Sequence, residues 1–237
     1  VGALAVVLLM GWRTYRERPL CSRAVVRSAM GVWIPLSLSA LMVLSAGYLD
    51  RVLLGLWWPA TEVAVFFAAV SPAALSVIPA GQLSQFALSL LGQVKSRDRF
   101  GRTFYALYAA GTCLWALVVF GAFSMLGRWF LTTLYPELAD RALPLWPYAL
   151  ASFGAVGVGI SCRPFVIKFL SSRVLLVVTG VGLVGRAVPL LILIPSGGAL
   201  GAAQGMLIGS SIQGALWLGV FVRFFVMDGA LKDSANE

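Results

Sequence analysis

The chain has 237 residues, 60% of them hydrophobic and 11% charged, and carries a formal net charge of +9 with no histidine. That balance excludes an ordinary soluble domain. Without histidine, imidazole proton relays, histidine-ligated zinc and histidine acid-base catalysis are excluded as well.

Seven apolar stretches, roughly 1–12, 28–55, 63–93, 103–126, 142–162, 174–194 and 199–222, alternate with segments that hold most of the charge. Each except the first reaches the roughly 20 residues that a helix needs to cross about 30 Å of hydrocarbon. Backbone in hydrocarbon must satisfy its own hydrogen bonds, and apolar runs without two-residue alternation exclude a barrel. The expected fold is an all-α polytopic membrane protein. Residues 1–12, which run straight into a basic segment, read as the end of a preceding transmembrane helix, and 13–27 as a basic loop. Residues 28–226 form a six-helix lobe and 227–237 a tail.

Charge placement orients the spans. Arg13, Arg16, Arg18, Arg23, Arg27, Lys95, Arg97, Arg99, Arg102, Arg163, Lys168, Arg173, Arg223 and Lys232 fall on one side, and Arg51, Arg128 and Arg141 on the other. Fourteen against three puts the C-terminus and the 13–27 loop in the cytoplasm by the positive-inside rule. Basic residues spread over loops in this way point to a membrane surface and away from nucleic acid, which would need a basic face interleaved with aromatics.

The second span places Ser28, Gly31, Pro35, Ser39, Ala46 and Asp50 near one helical face. The third does nearly the same with Ser71, Ala74, Gln82, Gln85, Ser89 and Gln93. Such stripes serve either interhelical hydrogen bonding or the wall of a wet cavity. Pro35, Pro72, Pro79, Pro147 and Pro189 predict kinks. In the fourth span Cys113, and at the end of the fifth Cys162, are isolated, as is Cys21, so no metal or redox pair is expected. No phosphate-binding loop and no soluble insertion large enough for an enzyme site is present, so no enzyme activity and no cofactor is expected.

In the last span Gly201, Gly205 and Gly209 repeat every four residues, a spacing that lets helix backbones approach closely. Arg186 lies about 18 Å into the span 174–194. A charge at that depth faces the bundle interior or a wet cavity, with Thr179 and Gly182 on the same face, and pairs with an anion. The alternatives are snorkelling and pairing with Asp50. The Asp50-Arg51 pair, at the end of its span, reads as an anchor.

Tyr48-Leu49-Asp50-Arg51-Val52-Leu53-Leu54-Gly55, followed by Glu62-Val63-Ala64-Val65-Phe66-Phe67-Ala68-Ala69, resembles the junction between the seventh and eighth helices of polysaccharide flippases. These are the O-antigen and capsule translocases of the multidrug/oligosaccharidyl-lipid/polysaccharide exporter superfamily. Ala64 and Phe66 stand where that junction carries a glycine and a tyrosine. Leu134 to Pro144 is similar to the outer loop entering the family's tenth helix, and Gly198-Ala199-Leu200-Gly201-Ala202-Ala203 to the opening of its twelfth.

The resemblance covers roughly residues 24–226 and implies the C-terminal lobe of a V-shaped, two-lobe transporter in the cytoplasmic (inner) membrane, with an N-terminal lobe upstream. It implies flipping of an undecaprenyl-pyrophosphate-linked oligosaccharide through a cationic cavity, with Arg186 on the pyrophosphate, Gln82 and Gln85 in contact with the sugars, and Thr179 lining the substrate site on the face of Arg186. A cation-coupled antiporter of the same superfamily would use acidic residues within helices, and a non-transporting scaffold subunit would need no polar-lined spans.

Overall fold

The computed structural model describes residues 23–93 and 100–227, and the side chains of 23–29, 32, 102 and 172 are outside that description. The expected helix end at 1–12, Arg13, Arg16, Arg18, Cys21, Lys95, Arg97, Arg99 and the tail from 228 onward lie outside the described residues. All described elements are helical: α1 Arg23–Trp57, α2 Ala60–Ala73, a 3-10 segment Ala74–Val77, α3 Ile78–Gly92 and α4 Arg102–Leu134. There follow the short α5 Ala139–Ala142, a 3-10 turn Leu143–Leu145, α6 Trp146–Phe169, α7 Ser172–Phe221 and a π-helical end Val222–Met227.

Five helical stretches are long and apolar enough to cross a membrane: Trp33–Trp57, Ala60–Gly92, Thr103–Leu134, Ala139–Phe169 and Arg173–Val226. By helix length and hydropathy the chain is a multi-pass membrane protein.

The observed boundaries differ from the expected ones where charge was taken for a helix end. α1 begins at Arg23, so residues 23–27 of the expected loop are helical. α4 continues through Arg128 to Leu134, and α6 includes Arg163 and Lys168. Arg128 and Lys168 are exposed near their helix ends, where a long basic side chain carries its charge beyond the backbone, whereas Arg163 is half-buried and turns inward. The third span is not one α-helix. Pro72 and Pro79 each lack a donor, and the four residues Ala74–Val77 between them tighten to 3-10 geometry. Pro147 sits in the first turn of α6, a position that tolerates proline, directly after the 3-10 turn Leu143–Leu145.

The 50 residues of α7 would extend about 75 Å if straight. Instead the backbone reverses at Gly198, whose φ of 54° and ψ of −132° are non-helical. The arms before and after it pack antiparallel, and the Gly201, Gly205, Gly209 row forms their contact. A Cβ built on Gly201 would meet the Leu193 carbonyl, one on Gly205 would lie 3.1 Å from the Leu190 Cα, and one on Gly209 would lie 2.5 Å from the Arg186 Cα. The expected close-packing role of these glycines is what the hairpin uses.

α6 runs through the middle of the bundle. Its small residues admit neighbours on several sides: Ala80 lies against Gly157, Trp217 against Gly159, and the Ala155 carbonyl against Gly214 of the second arm. Two apolar clusters result. One gathers Leu54, Phe66, Leu131, Leu150, Leu190 and Met206, and the other gathers Leu91, Tyr105, Phe165, Leu175, Trp217 and Phe221.

Candidate functional site

Between these clusters α1 and the first arm of α7 run parallel, and polar pairs join them. Ser39 Oγ and Thr179 Oγ1 are 2.8 Å apart, both buried, and Thr179 also donates to the Leu175 carbonyl. Further along, Arg186 Nη2 donates to Asp50 Oδ2 at 2.9 Å, with Asp50 1% and Arg186 6% exposed. Beyond the end of α1, Trp58 Nε1 donates to the Ile194 carbonyl at 2.8 Å. The polar stripe of α1 therefore faces the lobe interior at Ser39, Ala46 and Asp50.

Asp50 is an internal partner as well as a span end. Its Oδ1 accepts from the Arg51 amide at 2.8 Å. Arg51 lies over two rings, 5.7 Å from the Tyr48 centroid and 5.2 Å from that of Phe67. These contacts hold Arg51 in an aromatic setting by cation-π attraction. Of the readings open for Arg186, the pairing with Asp50 is the arrangement observed.

Beside the pair lies a cavity of about 280 Å³. Its polar lining comes from Asp50 and Arg51 on α1, Arg163 on α6, and Arg186 and Gln213 on the two arms of α7, and Val70, Met206 and Trp217 are among its apolar walls. Arg163 gave no signal in the sequence beyond a position expected in a loop. Gly159, four residues earlier, packs against Trp217, which lines the same cavity.

Gln82 and Gln85 are not part of that cavity. Both are exposed, as are Ser89 and Gln93, so the polar stripe of the third span turns to the outer surface of the bundle below the 3-10 segment. Gln82 lines an open groove between α3 and α4 with Leu83, Phe86, Tyr108, Thr112 and Trp115. The four residues expected to share a substrate site are thus separated: Arg186 and Thr179 inside, Gln82 and Gln85 outside.

A third constellation forms at the end of the bundle where the hairpin turns. Glu62 Oε1 accepts from Arg141 Nη2, and Glu62 Oε2 accepts from the Ala199 amide at 3.2 Å, in the first turn of the second arm. The negative side chain there satisfies a free amide and complements the helix dipole. The stretches beginning at Glu62, Leu134 and Gly198, far apart in sequence, meet at this carboxylate. Among the described residues, no group of three or more cysteine, aspartate or glutamate side chains is placed to hold a metal.

Compared with protein-family models, curated proteins and solved structures, the chain matches none.

Proposed function

We propose that the chain is the C-terminal lobe of a flippase that carries lipid-linked oligosaccharide across the cytoplasmic membrane. Counting the two arms of α7 separately gives six passes. With fourteen basic residues against three, the C-terminus lies in the cytoplasm. The hairpin turn and Glu62 then face outward.

The observation that carries the reading is the exposure of Gln82 and Gln85 within a stretch long enough to span the bilayer. A primary amide against hydrocarbon costs about 2–7 kcal/mol. That cost is relieved when the face borders water and a second lobe closes over it. The resemblance supplies the substrate class, and hydroxyl-rich sugars suit amide donors and acceptors. In this reading Gln82 and Gln85 touch the glycan. Arg186 and Thr179, already engaged by Asp50 and Ser39, hold the lobe together. An antiporter built on a free buried carboxylate is less well supported: among the described residues Asp50 is the buried acid, and it is held by Arg186.

Complementation of a strain lacking its flippase with the complete gene tests this. Surface glycan is expected to fall by about tenfold or more in the Gln82→Leu, Gln85→Leu double variant, at unchanged protein abundance, for the loss of two hydrogen-bonding side chains. Full surface glycan in that variant would remove the assignment.

A further inference from the structure

The end of the bundle opposite the hairpin turn carries exposed charge of one sign. Lys168 near the end of α6, Arg173 in the first turn of α7 and Arg223 in the π-helical end are all exposed. None of them has an ion pair or hydrogen bond among the described residues. The described acids lie elsewhere: Glu62, Glu137 and Asp140 at the hairpin end, and Asp50 against Arg186. The adjoining segments 94–99 and 228–237 carry Lys95, Arg97, Arg99 and Lys232 against Asp98, Asp228, Asp233 and Glu237, and so add no net charge.

The three cations border a single patch, because aromatic rings join their helices beneath it. The Phe169 ring centroid lies 5.9 Å from that of Phe225, which lies 5.2 Å from Phe221 and 5.1 Å from Tyr105 of α4. Lys168 directly precedes Phe169, Arg173 stands about one helical turn beyond it, and Arg223 is next but one before Phe225. Beside the cations, Leu170 and Val174 are half-buried and pack on the same cluster. Like charges held together without a counter-charge repel one another. A basic patch at the end of a membrane-spanning bundle, with apolar side chains next to it, complements a lipid phosphate and the acyl chain attached to it.

We propose that this patch is a docking surface for anionic phospholipids of the bilayer, with Lys168, Arg173 and Arg223 on the headgroup phosphates and Leu170 and Val174 against the start of the acyl chains. The patch lies on the outer surface, away from the cavity beside Asp50 and Arg186, and it takes a resident lipid of the membrane. It therefore does not depend on the flippase reading.

The test is thermal unfolding of the purified full chain in mixed micelles of neutral detergent and phosphatidylcholine, titrated with cardiolipin at low ionic strength. A saturable rise in Tm is expected. Each cation at an anionic lipid surface contributes about fivefold in affinity, so the triple variant Lys168→Gln, Arg173→Gln, Arg223→Gln should raise the cardiolipin fraction at half-saturation by about 100-fold. Arg128→Gln, exposed near the hairpin end of α4, should leave that fraction unchanged. In about 1 M sodium chloride, where the screening length is about 3 Å, most of the rise should vanish. In phosphatidylcholine alone the triple variant should unfold no earlier than wild type, because it removes exposed charges that have no partner. Earlier unfolding there would mean that the cations pair within the protein, and would overturn the proposal. So would the absence of a saturable rise, an undiminished rise in the triple variant, or an equal rise with inorganic phosphate at the same phosphate concentration. A rise that appears only after Asp228→Asn, Asp233→Asn and Glu237→Gln would give the patch to the chain's own tail and overturn it as well.

Discussion

Asp50 of α1 and Arg186 of α7 form a buried ion pair at 2.9 Å, between helices 136 residues apart in sequence. Such a pair adds little over an apolar pair of the same shape, yet removing one partner strands the other charge. The two residues must therefore be judged together.

Asp50→Leu and Arg186→Met are each expected to cost about 3–5 kcal/mol. The double variant should recover most of that loss. Unfolding in detergent, read as a double-mutant cycle, checks it. Additive losses would show that the pair does not act as a unit.

Gly209→Ala places a methyl 2.5 Å from the Arg186 Cα, where only backbone can give way. Overpacking of that kind costs about 1–3 kcal/mol. Gly180→Ala, in the first arm, meets nothing within 4 Å and serves as the control. The same assay should show a lower Tm for the first variant and none for the second. Equal behaviour would mean that the arms are not in contact along the glycine row.

Glu62→Ala should destabilise the hairpin end more than Arg141→Ala does. Arg141 is 56% exposed, and a surface ion pair contributes at most about 1 kcal/mol. Glu62 in addition accepts from the Ala199 amide at the start of the second arm, and losing a cap costs about 0.5–2 kcal/mol. Hydrogen exchange at Ala199 is the direct readout. Faster exchange in Arg141→Ala than in Glu62→Ala would reverse the assignment.

Topology is tested by cysteines placed at Ser171 and Ser196, both exposed, in a variant with Cys21, Cys113 and Cys162 replaced. In intact cells a membrane-impermeant thiol reagent should label the second and spare the first. Equal labelling would contradict the charge-based orientation.

The helices were legible because apolar length is written directly in the sequence. A close helix contact was legible because Gly201, Gly205 and Gly209 repeat every four residues, though the row does not name the first arm of α7 as its partner. Which way a stripe faces was not: Ser39 and Asp50 turn inward while Gln82 and Gln85 turn outward, and periodicity fixes a face without fixing its neighbour. The bridge from Glu62 to Arg141 and Ala199 joins residues up to 137 apart, and no local pattern encodes such a meeting. Arg163 reads as a loop charge because the apolar run ends just before it, while α6 continues to Phe169. The 3-10 segment was foreshadowed by Pro72 and Pro79, though its extent depends on how both flanking helices pack.

Ser39, Asp50 and Trp58 fasten α1 to the first arm of α7 at three points over 19 residues, about 28 Å of helix. That is nearly the thickness of the hydrocarbon layer. Sliding one helix along the other would break all three fastenings together, so the two behave as a single beam. A movement that reshapes the Gln82 and Gln85 face must then be absorbed elsewhere. The four residues of the 3-10 segment lie next to that face between two prolines, where the backbone hydrogen bonds have poorer geometry than in the flanking α-helices.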